Sequence, residues 1–286
     1  MPAMNYRHIY HAGNFADIAK HVGLLYCLEA LKRKDAAFFV LDTHAGRGWY
    51  DLTCAESKKS REAERGIERL LAARPLETVL APYAAAVGAR PGERLIRYPG
   101  SSAQIAAALR GQDRAVFVEQ SPREARAAER HLSSRGRVRV ELGDGYAALR
   151  SLLPPPERRG LVLIDPPYES AEELSTLLRA FADAYRRWPG GIFLVWYPIL
   201  SDTQRRSVHA RFEALRVPKM LAADLAVHPD DAGGVGLAGS GLIMVNPPYG
   251  ADEFLAQAYS AVHRVLAQRG SGYAEVARLT PERMAQ

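Results

Sequence analysis

Short apolar runs alternate with helical patterns along most of this chain, and this alternation limits the folds open to it. The apolar runs read as strands at Phe38–Asp42, Ala115–Glu119, Val138–Leu142, Leu161–Asp165, Ile192–Trp196 and Leu242–Asn246. Apolar residues recur at helical spacing in Phe15–Lys34, Arg123–Ser133, Gly145–Leu152, Glu172–Arg187, Thr203–Leu215 and Asp252–Leu266. Strands that alternate with helices predict an α/β fold with a mostly parallel, doubly wound sheet.

One interval in this alternation is too long for a simple crossover. Gly46, after the first strand, is 73 residues from Glu119 at the end of the next one, whereas a strand–helix–strand unit needs about 30 residues. The stretch 53–98 between them carries charge-rich helical patterns. We therefore expect a small helical insertion at 53–98, over the carboxyl edge of the sheet. It would separate residues 1–52, with an N-terminal tail, helix and first strand, from the rest of the domain at 99–286.

Composition narrows the class of protein. The 286 residues, 48% of them hydrophobic, suffice for a full core and contain no apolar run long enough for a membrane span. Cys27 and Cys54 form no CxxC pair, which favours a reduced, cytoplasmic protein. The net charge is +6, and only six of the 38 basic residues are lysine. This excess of arginine favours a polyanionic partner, although a biased genome would produce it too.

The run Leu161–Ile164 ends in Asp165-Pro166-Pro167-Tyr168, a pattern suited to an amine substrate. Ligands of open α/β sheets bind beyond the carboxyl ends of the strands. There the Asp165 carboxylate and the Pro166 carbonyl can each accept a hydrogen of an exocyclic amine, and Tyr168 can stack on the heterocycle. We expect methyl transfer to an amino nitrogen of a base, which first leaves its stack.

Acidic or glycine-rich turns end four successive predicted strands. Gly46 follows the first strand, Glu119 ends the second, Asp144-Gly145 follow the third, and Asp165 ends the fourth. Glu119 can accept the two ribose hydroxyls of a nucleoside, and Asp144 can face an adenine edge. A dinucleotide oxidoreductase would need a third glycine and an acid about 20 residues on, which are absent. S-adenosylmethionine, which lacks a pyrophosphate, fits Gly46-Arg47-Gly48 better.

Several motifs together resemble one family. They are Tyr6-Arg7-His8, His11-Ala12-Gly13-Asn14-x-Ala16-Asp17 with Lys20-His21, Asp42-Thr43-His44-Ala45-Gly46, Tyr98-Pro99-Gly100-Ser101, Asp144-Gly145, Leu163-Ile164-Asp165-Pro166-Pro167-Tyr168-Glu169 and Trp196-Tyr197-Pro198. From about residue 4 to about residue 250 the chain resembles the bacterial ribosomal RNA adenine-N6 methyltransferases of the RlmJ family. The N-terminal block is highly specific, whereas many amino-methyltransferases share Asp-Pro-Pro-Tyr.

The resemblance implies a Rossmann-like class I fold that uses S-adenosylmethionine, and methylation of N6 of an adenine in 23S ribosomal RNA (by resemblance, adenine 2030). It implies catalytic roles for Asp165, Pro166 and Tyr168, and places Tyr6, His8 and Tyr168 on the substrate side. The implied donor contacts are Lys20, His21, His44, Gly46, Ser101, Glu119, Asp144, Gly145 and Asp165. Lys20 would pair with the donor carboxylate, and His21 and His44 would bind its methionine end. Alternatively Lys20 is a solvated helix residue, and both histidines are satisfied internally.

Two other patterns point to no chemistry of their own. His8, His11, His21 and His44 match no zinc spacing, so we expect no metal. Asn246-Pro247-Pro248-Tyr249 imitates the catalytic motif but comes 200 residues after Gly46. We expect it on a late strand towards the far edge of the sheet, in a structural role.

The expected partner is 23S ribosomal RNA, naked or in an early assembly intermediate, with no membrane association and with the protein as a monomer. Three alternatives stay open at this point. A DNA adenine-N6 methyltransferase would use the same chemistry, and a protein glutamine methyltransferase would use the Asn-Pro-Pro-Tyr motif. A non-catalytic RNA-binding module would keep the fold without the reaction.

Overall fold

The computed structural model describes residues 7–90, 93–132, 137–228, 237–268 and 271–282. Within these ranges eight strands form one large sheet and two form a small one. The strands are β1 Phe39–Asp42, β2 Trp49–Asp51, β3 Arg97–Pro99, β4 Arg114–Glu119, β5 Val138–Leu142, β6 Gly160–Ile164, β7 Ile192–Ile199, β8 Met220–Ala226, β9 Gly239–Val245 and β10 Tyr273–Arg278.

The large sheet has the order β10-β8-β9-β7-β6-β1-β4-β5. Strands β5, β4, β1, β6 and β7 are parallel neighbours. Strand β9 runs antiparallel to both β7 and β8, and β10 runs antiparallel to β8. The predicted α/β class and mostly parallel sheet are confirmed. All six predicted strands form, whereas β2, β3, β8 and β10 were not predicted.

Helices cover both faces of this sheet. They are α1 Phe15–Lys32, α2 Ala55–Ser60, α3 Arg69–Ala72, α4 Ala81–Ala86, α5 Ser101–Ala108, α6 Pro122–Leu132, α7 Gly145–Leu152, α8 Glu173–Arg187, α9 Asp202–Glu213 and α10 Ala251–Leu266. A π-helical turn at Glu64–Glu68 leads into α3. None of the helices in the described ranges has the length and apolar character to cross a bilayer.

Alternation along each strand divides the core into two layers. In β1, Val40 points into a cluster with residues of α1, α5, α6 and α10, while Phe39 and Leu41 point into a cluster with α7, α8 and α9. Side chains of successive strand residues face opposite sides of a sheet. Strands covered on both faces leave only their ends accessible, so polar side chains gather at the carboxyl edge.

Helix α1 begins where the sequence predicts. The side chain of Asn14 caps it by accepting a hydrogen bond from Asp17 N at 2.9 Å, an interaction worth about 1 kcal/mol. Residues Asp17 and Lys20 lie one helical turn apart. This spacing puts both side chains on one face of α1, the face that looks towards the carboxyl edge of the sheet.

The segment between β2 and β3 contains α2, α3 and α4, and the pair β2–β3 lies at its base. It packs against the start of α1 at Gly66. Ile67 N donates to Gly13 O at 2.8 Å, and a Cβ atom at Gly66 would lie 2.2 Å from that same oxygen. Only glycine permits this approach. The division at 53 and 98 stays a prediction, although the hairpin β2–β3 brackets nearly the same stretch.

The Asn246-Pro247-Pro248-Tyr249 segment lies at the opposite edge of the sheet from Asp165. Because β9 is antiparallel to β7, its last residue pairs with the beginning of β7. The Asn246 amide donates to Pro189 O at 2.8 Å and to Gly191 O at 2.7 Å. These contacts support the predicted structural role, which stays a prediction. The predicted position is only approximate, since β9 has two further strands, β8 and β10, on its outer side.

Candidate active site

Asp165, Pro166 and Tyr168 form a stiff lip after β6. Tyr168 has a φ of 52°, and its hydroxyl donates to Trp196 O at 2.7 Å. The two rings meet edge to face with centroids 5.7 Å apart. The carbonyl of Pro166 accepts no hydrogen bond from the described residues. The lip therefore offers a carboxylate, a carbonyl that no described residue uses, and a ring fixed in place.

A buried row of charges lies beneath this lip. Lys20 Nζ bonds the Asp165 carboxylate and also lies 3.0 Å from Asp17 Oδ1. Burial would raise the pKa of Asp17, but His8 and Lys20 hold it well below its usual range. Burial would likewise lower the pKa of Lys20, but Asp165 and Asp17 raise it above its ordinary value. The three side chains alternate as carboxylate, ammonium and carboxylate, with His8 beside the Asp17 end.

His8 lies beside this row. Its Nε2 is 3.0 Å from Asp17 Oδ2, and its ring centroid is 4.9 Å from that of Tyr50. It lines both cavities described below. Tyr6, the other residue predicted to face the substrate from this segment, lies outside the described residues.

A cavity of about 660 Å³ lies at the carboxyl edge, over β1, β4 and β5. Nearly all of the predicted donor contacts line it: Lys20, His44, Gly46, Ser101, Glu119, Asp144, Gly145 and Asp165. Pro166 lines it too. Six separate segments of the chain thus converge on one cavity, and four of them are the strand ends that the sequence pattern predicts.

Glu119 and Gly46 hold the turn after β1. Gly46 N donates to Glu119 Oε2 at 2.9 Å, and Ser121 N donates to Oε1 at 2.7 Å. Burial raises the pKa of Glu119, which these backbone donors partly oppose. Gly46 has a φ of +59°, and a Cβ atom there would lie 2.2 Å from the Tyr50 hydroxyl. Each carboxylate oxygen keeps a further lone pair for a ligand hydroxyl.

Ser101 and His44 form another part of this wall, and both depend on Asp42. Ser101 Oγ donates to Asp42 Oδ2 at 2.6 Å, and His44 N lies 3.2 Å from Asp42 Oδ1. Burial raises the pKa of Asp42 to about 7, and the nearby Asp165 adds to that. Burial lowers the pKa of His44 to about 4. His44 is therefore neutral at pH 7 and can donate or accept a hydrogen bond.

Asp144 and Gly145 occupy the start of α7. Asp144 Oδ1 accepts from Tyr146 N at 2.8 Å and caps the helix. A Cβ atom at Gly145 would lie 2.2 Å from Thr43 O, so glycine is what lets α7 begin against the turn after β1. These contacts fix the position of Asp144 relative to Gly46.

His21 is the exception among the predicted donor contacts, because it does not line the cavity. It is fully buried, and its Nδ1 lies 2.7 Å from the Tyr98 hydroxyl and 2.9 Å from Gln104 Nε2. Burial lowers the pKa of His21 to about 3. Its Nε2 has no hydrogen-bond partner in the described part of the chain. A donor contact through that atom stays a prediction.

A second cavity, of about 940 Å³, lies on the other side of the lip. It shares His8, Lys20, Asp165 and Pro167 with the first, and Tyr168 and Trp196 line it. The two cavities therefore meet at the Asp165 carboxylate. In the described ranges no group of three or more histidine, cysteine or acidic side chains is arranged to hold a metal ion, and the absence of a metal stays a prediction.

Sequence analysis missed four residues that shape the site: Asp17, Asp42, Tyr50 and Glu62. The spacing of Asp17 before Lys20 and His21 was a usable signal, because all three share one face of a helix. Asp42 ends a buried strand, as Asp165 does, and this position is a sequence signal for a residue at the carboxyl edge. Tyr50 lies in a stretch where the sequence shows no pattern, and Glu62 lies in the charge-rich stretch 53–98, where no local pattern tells which acidic residue will contact α1.

Comparison with known proteins decides the family. The family profile described as "Ribosomal RNA large subunit methyltransferase D, RlmJ" matches residues 35–280. The chain belongs to this family. Its members include the "Ribosomal RNA large subunit methyltransferase J" proteins of Haemophilus influenzae and Escherichia coli K12. Each is 36% identical over 281 residues, which cover 98% of this chain and the whole of the relative.

Solved structures agree with the family. A crystal structure of a Legionella pneumophila protein is 31% identical, covers 94% of this chain and 98% of its own, and superposes with a TM-score of 0.86. A probable spermidine synthase of Corynebacterium glutamicum, 14% identical, superposes with a TM-score of 0.51 over 94% of this chain and 76% of its own. The second likeness shows the fold alone. The predicted family, Rossmann-like class I fold and methyltransferase activity are confirmed.

Proposed function

We propose that this protein transfers a methyl group from S-adenosylmethionine to the exocyclic N6 of an adenine in 23S ribosomal RNA. The observation that carries the proposal is the meeting of two cavities at Asp165, one lined by the strand-end residues and the other by the Tyr168 ring. The names of the family and of its relatives support ribosomal RNA as the substrate.

The smaller cavity fits the donor. Glu119 offers its carboxylate oxygens to the ribose hydroxyls, and Asp144 lies where the adenine edge would be read. Neutral His44 and Ser101 offer hydrogen bonds to the methionine end, whereas a contact from the buried His21 stays a prediction. S-adenosylmethionine supplies an electrophilic methyl group on a sulfonium. Gly46 and Gly145 let Tyr50 and the turn after β1 pack closely, which sets the shape of this cavity.

The lip acts on the amine. The Asp165 carboxylate and the Pro166 carbonyl each accept one N6 hydrogen, which turns the nitrogen lone pair towards the methyl group. Positive charge develops on N6 as the new N–C bond forms and the bond between the methyl carbon and the donor sulfur breaks, which leaves the donor as a neutral thioether. The adjacent Asp165 carboxylate stabilises the charge on N6. One N6 proton then leaves to Asp165. Lys20 and Asp17 act through Asp165, by holding its carboxylate in place.

The larger cavity takes the target base, which Tyr168 stacks against once the base has left its helix or loop. A base can leave its stack most easily in RNA that is not yet packed into a subunit. We therefore extend the proposal to free 23S ribosomal RNA or an early assembly intermediate, a substrate found in the bacterial cytoplasm. Adenine 2030 as the target, Tyr6 and His8 as substrate contacts, and the monomeric state stay predictions.

The test compares methyl incorporation into unmodified 23S ribosomal RNA and duplex DNA. Transfer to RNA alone, mapped to N6 of one adenine, supports the proposal, and transfer to DNA alone would favour the DNA methyltransferase. Donor binding by calorimetry without transfer to any RNA would favour the non-catalytic module. The Asn246 segment no longer supports a protein glutamine methyltransferase, because it lies at the opposite edge of the sheet from the site.

One variant tests the chemistry. Replacing Asp165 with alanine removes an acceptor that strengthens in the transition state, so kcat should fall at least about 10²- to 10³-fold. The fold should survive because Lys20 keeps Asp17 as its partner. Unfolding by heat verifies this. Turnover within a few-fold of wild type would refute the assigned role of Asp165.

A further inference from the structure

The larger cavity continues beyond the place of the target base. Tyr168 follows β6, whereas His228 lies two residues after β8, and β7 and β9 stand between these strands. At about 4.8 Å per strand the separation across the sheet is roughly 14 Å. His228 and Phe15 nevertheless line the same cavity as Tyr168. This span exceeds the reach of one base.

A second pair of aromatic rings stands in that distant part. Phe15, the first residue of α1, meets His228 with ring centroids 6.0 Å apart and planes inclined by 72°. Both side chains are half-buried. Burial lowers the pKa of His228, and the charge of Arg65 lowers it further, so its imidazole is neutral. Neutral rings of this kind stack on unpaired bases of any sequence.

The two ring pairs are joined by one hydroxyl. Trp196, the partner of Tyr168, donates from Nε1 to Ser240 Oγ at 2.9 Å, and Ser240 Oγ in turn donates to Ala16 O at 3.4 Å. Ala16 follows Phe15 directly. The wall that carries the first ring pair is thus continuous with the wall that carries the second.

Arg65, a residue of the insertion, places a positive charge in this part of the cavity. It is exposed, lines the cavity and is close enough to His228 to affect its pKa. Its Nη2 donates to Ser60 O at 3.0 Å, which orients the guanidinium. A guanidinium has five N–H donors, and in the described ranges only Ser60 O accepts from that of Arg65, so the others can bind an anion. Arginine binds phosphate oxygens in pairs.

We propose that Phe15, His228 and Arg65 form a subsite for a nucleotide adjacent to the target adenine in the same RNA strand. The rings take its base and Arg65 takes its phosphate. This inference rests on the proposed function. It has a consequence for the substrate: two neighbouring nucleotides leave their stack together, so the enzyme reads a short unpaired segment of RNA rather than a single base.

The experiment combines protein and RNA changes. The substrates are a short RNA that contains the mapped target adenine and the same RNA with an abasic residue on either side of it. The variants are Phe15→Leu, which keeps apolar volume but loses the ring, and Arg65→Gln. Arg69→Gln is the matched control, since Arg69 is exposed one turn further along and does not line the cavity. Thermal unfolding should be the same for all.

For wild type, the abasic residue on one side should raise KM by about 5- to 150-fold, the range expected for losing one stacked base. Phe15→Leu should raise KM on the intact RNA by a similar factor. On the abasic RNA that already raises KM for wild type, Phe15→Leu should raise KM little further. Arg65→Gln should raise KM several-fold on both RNAs, with kcat unchanged, and Arg69→Gln should match wild type.

The subsite is refuted if Phe15→Leu leaves KM unchanged, or raises it equally on the intact RNA and on both abasic RNAs. If Arg69→Gln raises KM as much as Arg65→Gln does, Arg65 contributes only to the overall positive charge of the protein and does not bind a specific phosphate. The same comparisons made by equilibrium binding of the labelled RNAs do not need turnover. If methylation maps to an adenine of an RNA other than 23S ribosomal RNA, the proposed function fails, while the abasic comparison around that adenine still decides whether the subsite exists.

Discussion

Glu62 joins the insertion to the start of α1, and removing its charge should weaken this junction measurably. Its Oε1 lies 2.9 Å from His11 Nδ1, and its Oε2 accepts from Asn14 Nδ2 at 2.9 Å. Asn14 caps the helix that carries Asp17 and Lys20. Glu62→Gln keeps the size of the side chain but loses the charge and one acceptor oxygen.

The size of the effect follows from these two contacts. A hydrogen bond to a charged group is worth about 1.5–3 kcal/mol when it is well buried. Here the His11 and Glu62 side chains are 39% and 32% exposed, so solvent screens the interaction. We expect Glu62→Gln to lower the free energy of unfolding by about 1–2 kcal/mol. At about 2–4 °C per kcal/mol this shifts Tm by roughly 2–8 °C.

The loss should depend on pH in a defined direction. The hydrogen bond to Glu62 raises the pKa of His11 above its ordinary 6.5, against the effect of burial. A group whose pKa is raised in the folded state contributes stability that is complete below its unfolded pKa and is lost as pH rises through the folded one. Wild type should therefore exceed Glu62→Gln by more at about pH 5.5 than at about pH 9.

Urea unfolding at these two pH values measures the difference, with Glu64→Gln as the matched control. Glu64 pairs with Arg61 on the surface of the same insertion, and an exposed pair contributes about 0–1 kcal/mol. The methyl-transfer rate at saturating donor should also fall for Glu62→Gln but not for Glu64→Gln. Equal losses of stability at the two pH values would refute the role given to the His11–Glu62 pair.

Three further variants test other parts of the site. Asp42→Asn should remove a pH dependence of stability, because burial raises the pKa of Asp42 to about 7. In urea unfolding, the free energy of unfolding of wild type should fall relative to that of the variant as pH rises from about 4 to 7. Parallel plots of this free energy against pH would contradict the prediction. Gly145→Ala should weaken donor binding in calorimetry, because its Cβ would lie 2.2 Å from Thr43 O, whereas Gly111→Ala, with nothing within 4 Å and outside the cavity, should not. Asn246→Ala should lower the free energy of unfolding by about 1–3 kcal/mol, since two carbonyls lose their donor, and leave kcat unchanged. A large loss of turnover without a loss of stability would contradict the structural role of Asn246.

The part of the fold predicted from sequence is the part whose strands are covered on both faces. Strands such as β1 and β6 are continuous apolar runs because helices bury both of their sides. Strand β8 was missed because Met220–Ala226 is rich in alanine and contains Asp224, both unusual in strands. The tertiary structure overrides this preference. Tyr197 donates to Asp224 at 2.5 Å and Arg205 donates to it at 3.1 Å, so the buried charge is paired, and β9 and β10 flank the strand.

The candidate site divides in the same way. Residues at strand ends, such as Glu119 and Asp165, were predictable because parallel strands bring their carboxyl ends to one edge. Contacts that depend on how α1 packs against the sheet were not predictable. Lys20 and Asp165 are 145 residues apart, and no local pattern tells which carboxylate a buried lysine will reach.

The position of Lys20 is compatible with the donor contact that the family resemblance implies. An ammonium group has three N–H donors, and the Lys20 ammonium contacts two carboxylates, of Asp17 and Asp165. No other residue of the described ranges accepts the third donor, which can therefore bind a ligand, and Lys20 lines the donor cavity. Because Asp17 and Asp165 already balance its charge, a donor carboxylate would gain a hydrogen bond rather than a full ion pair. Lys20 therefore contributes mainly by fixing the distance between Asp165 and the donor, and less by attracting the donor.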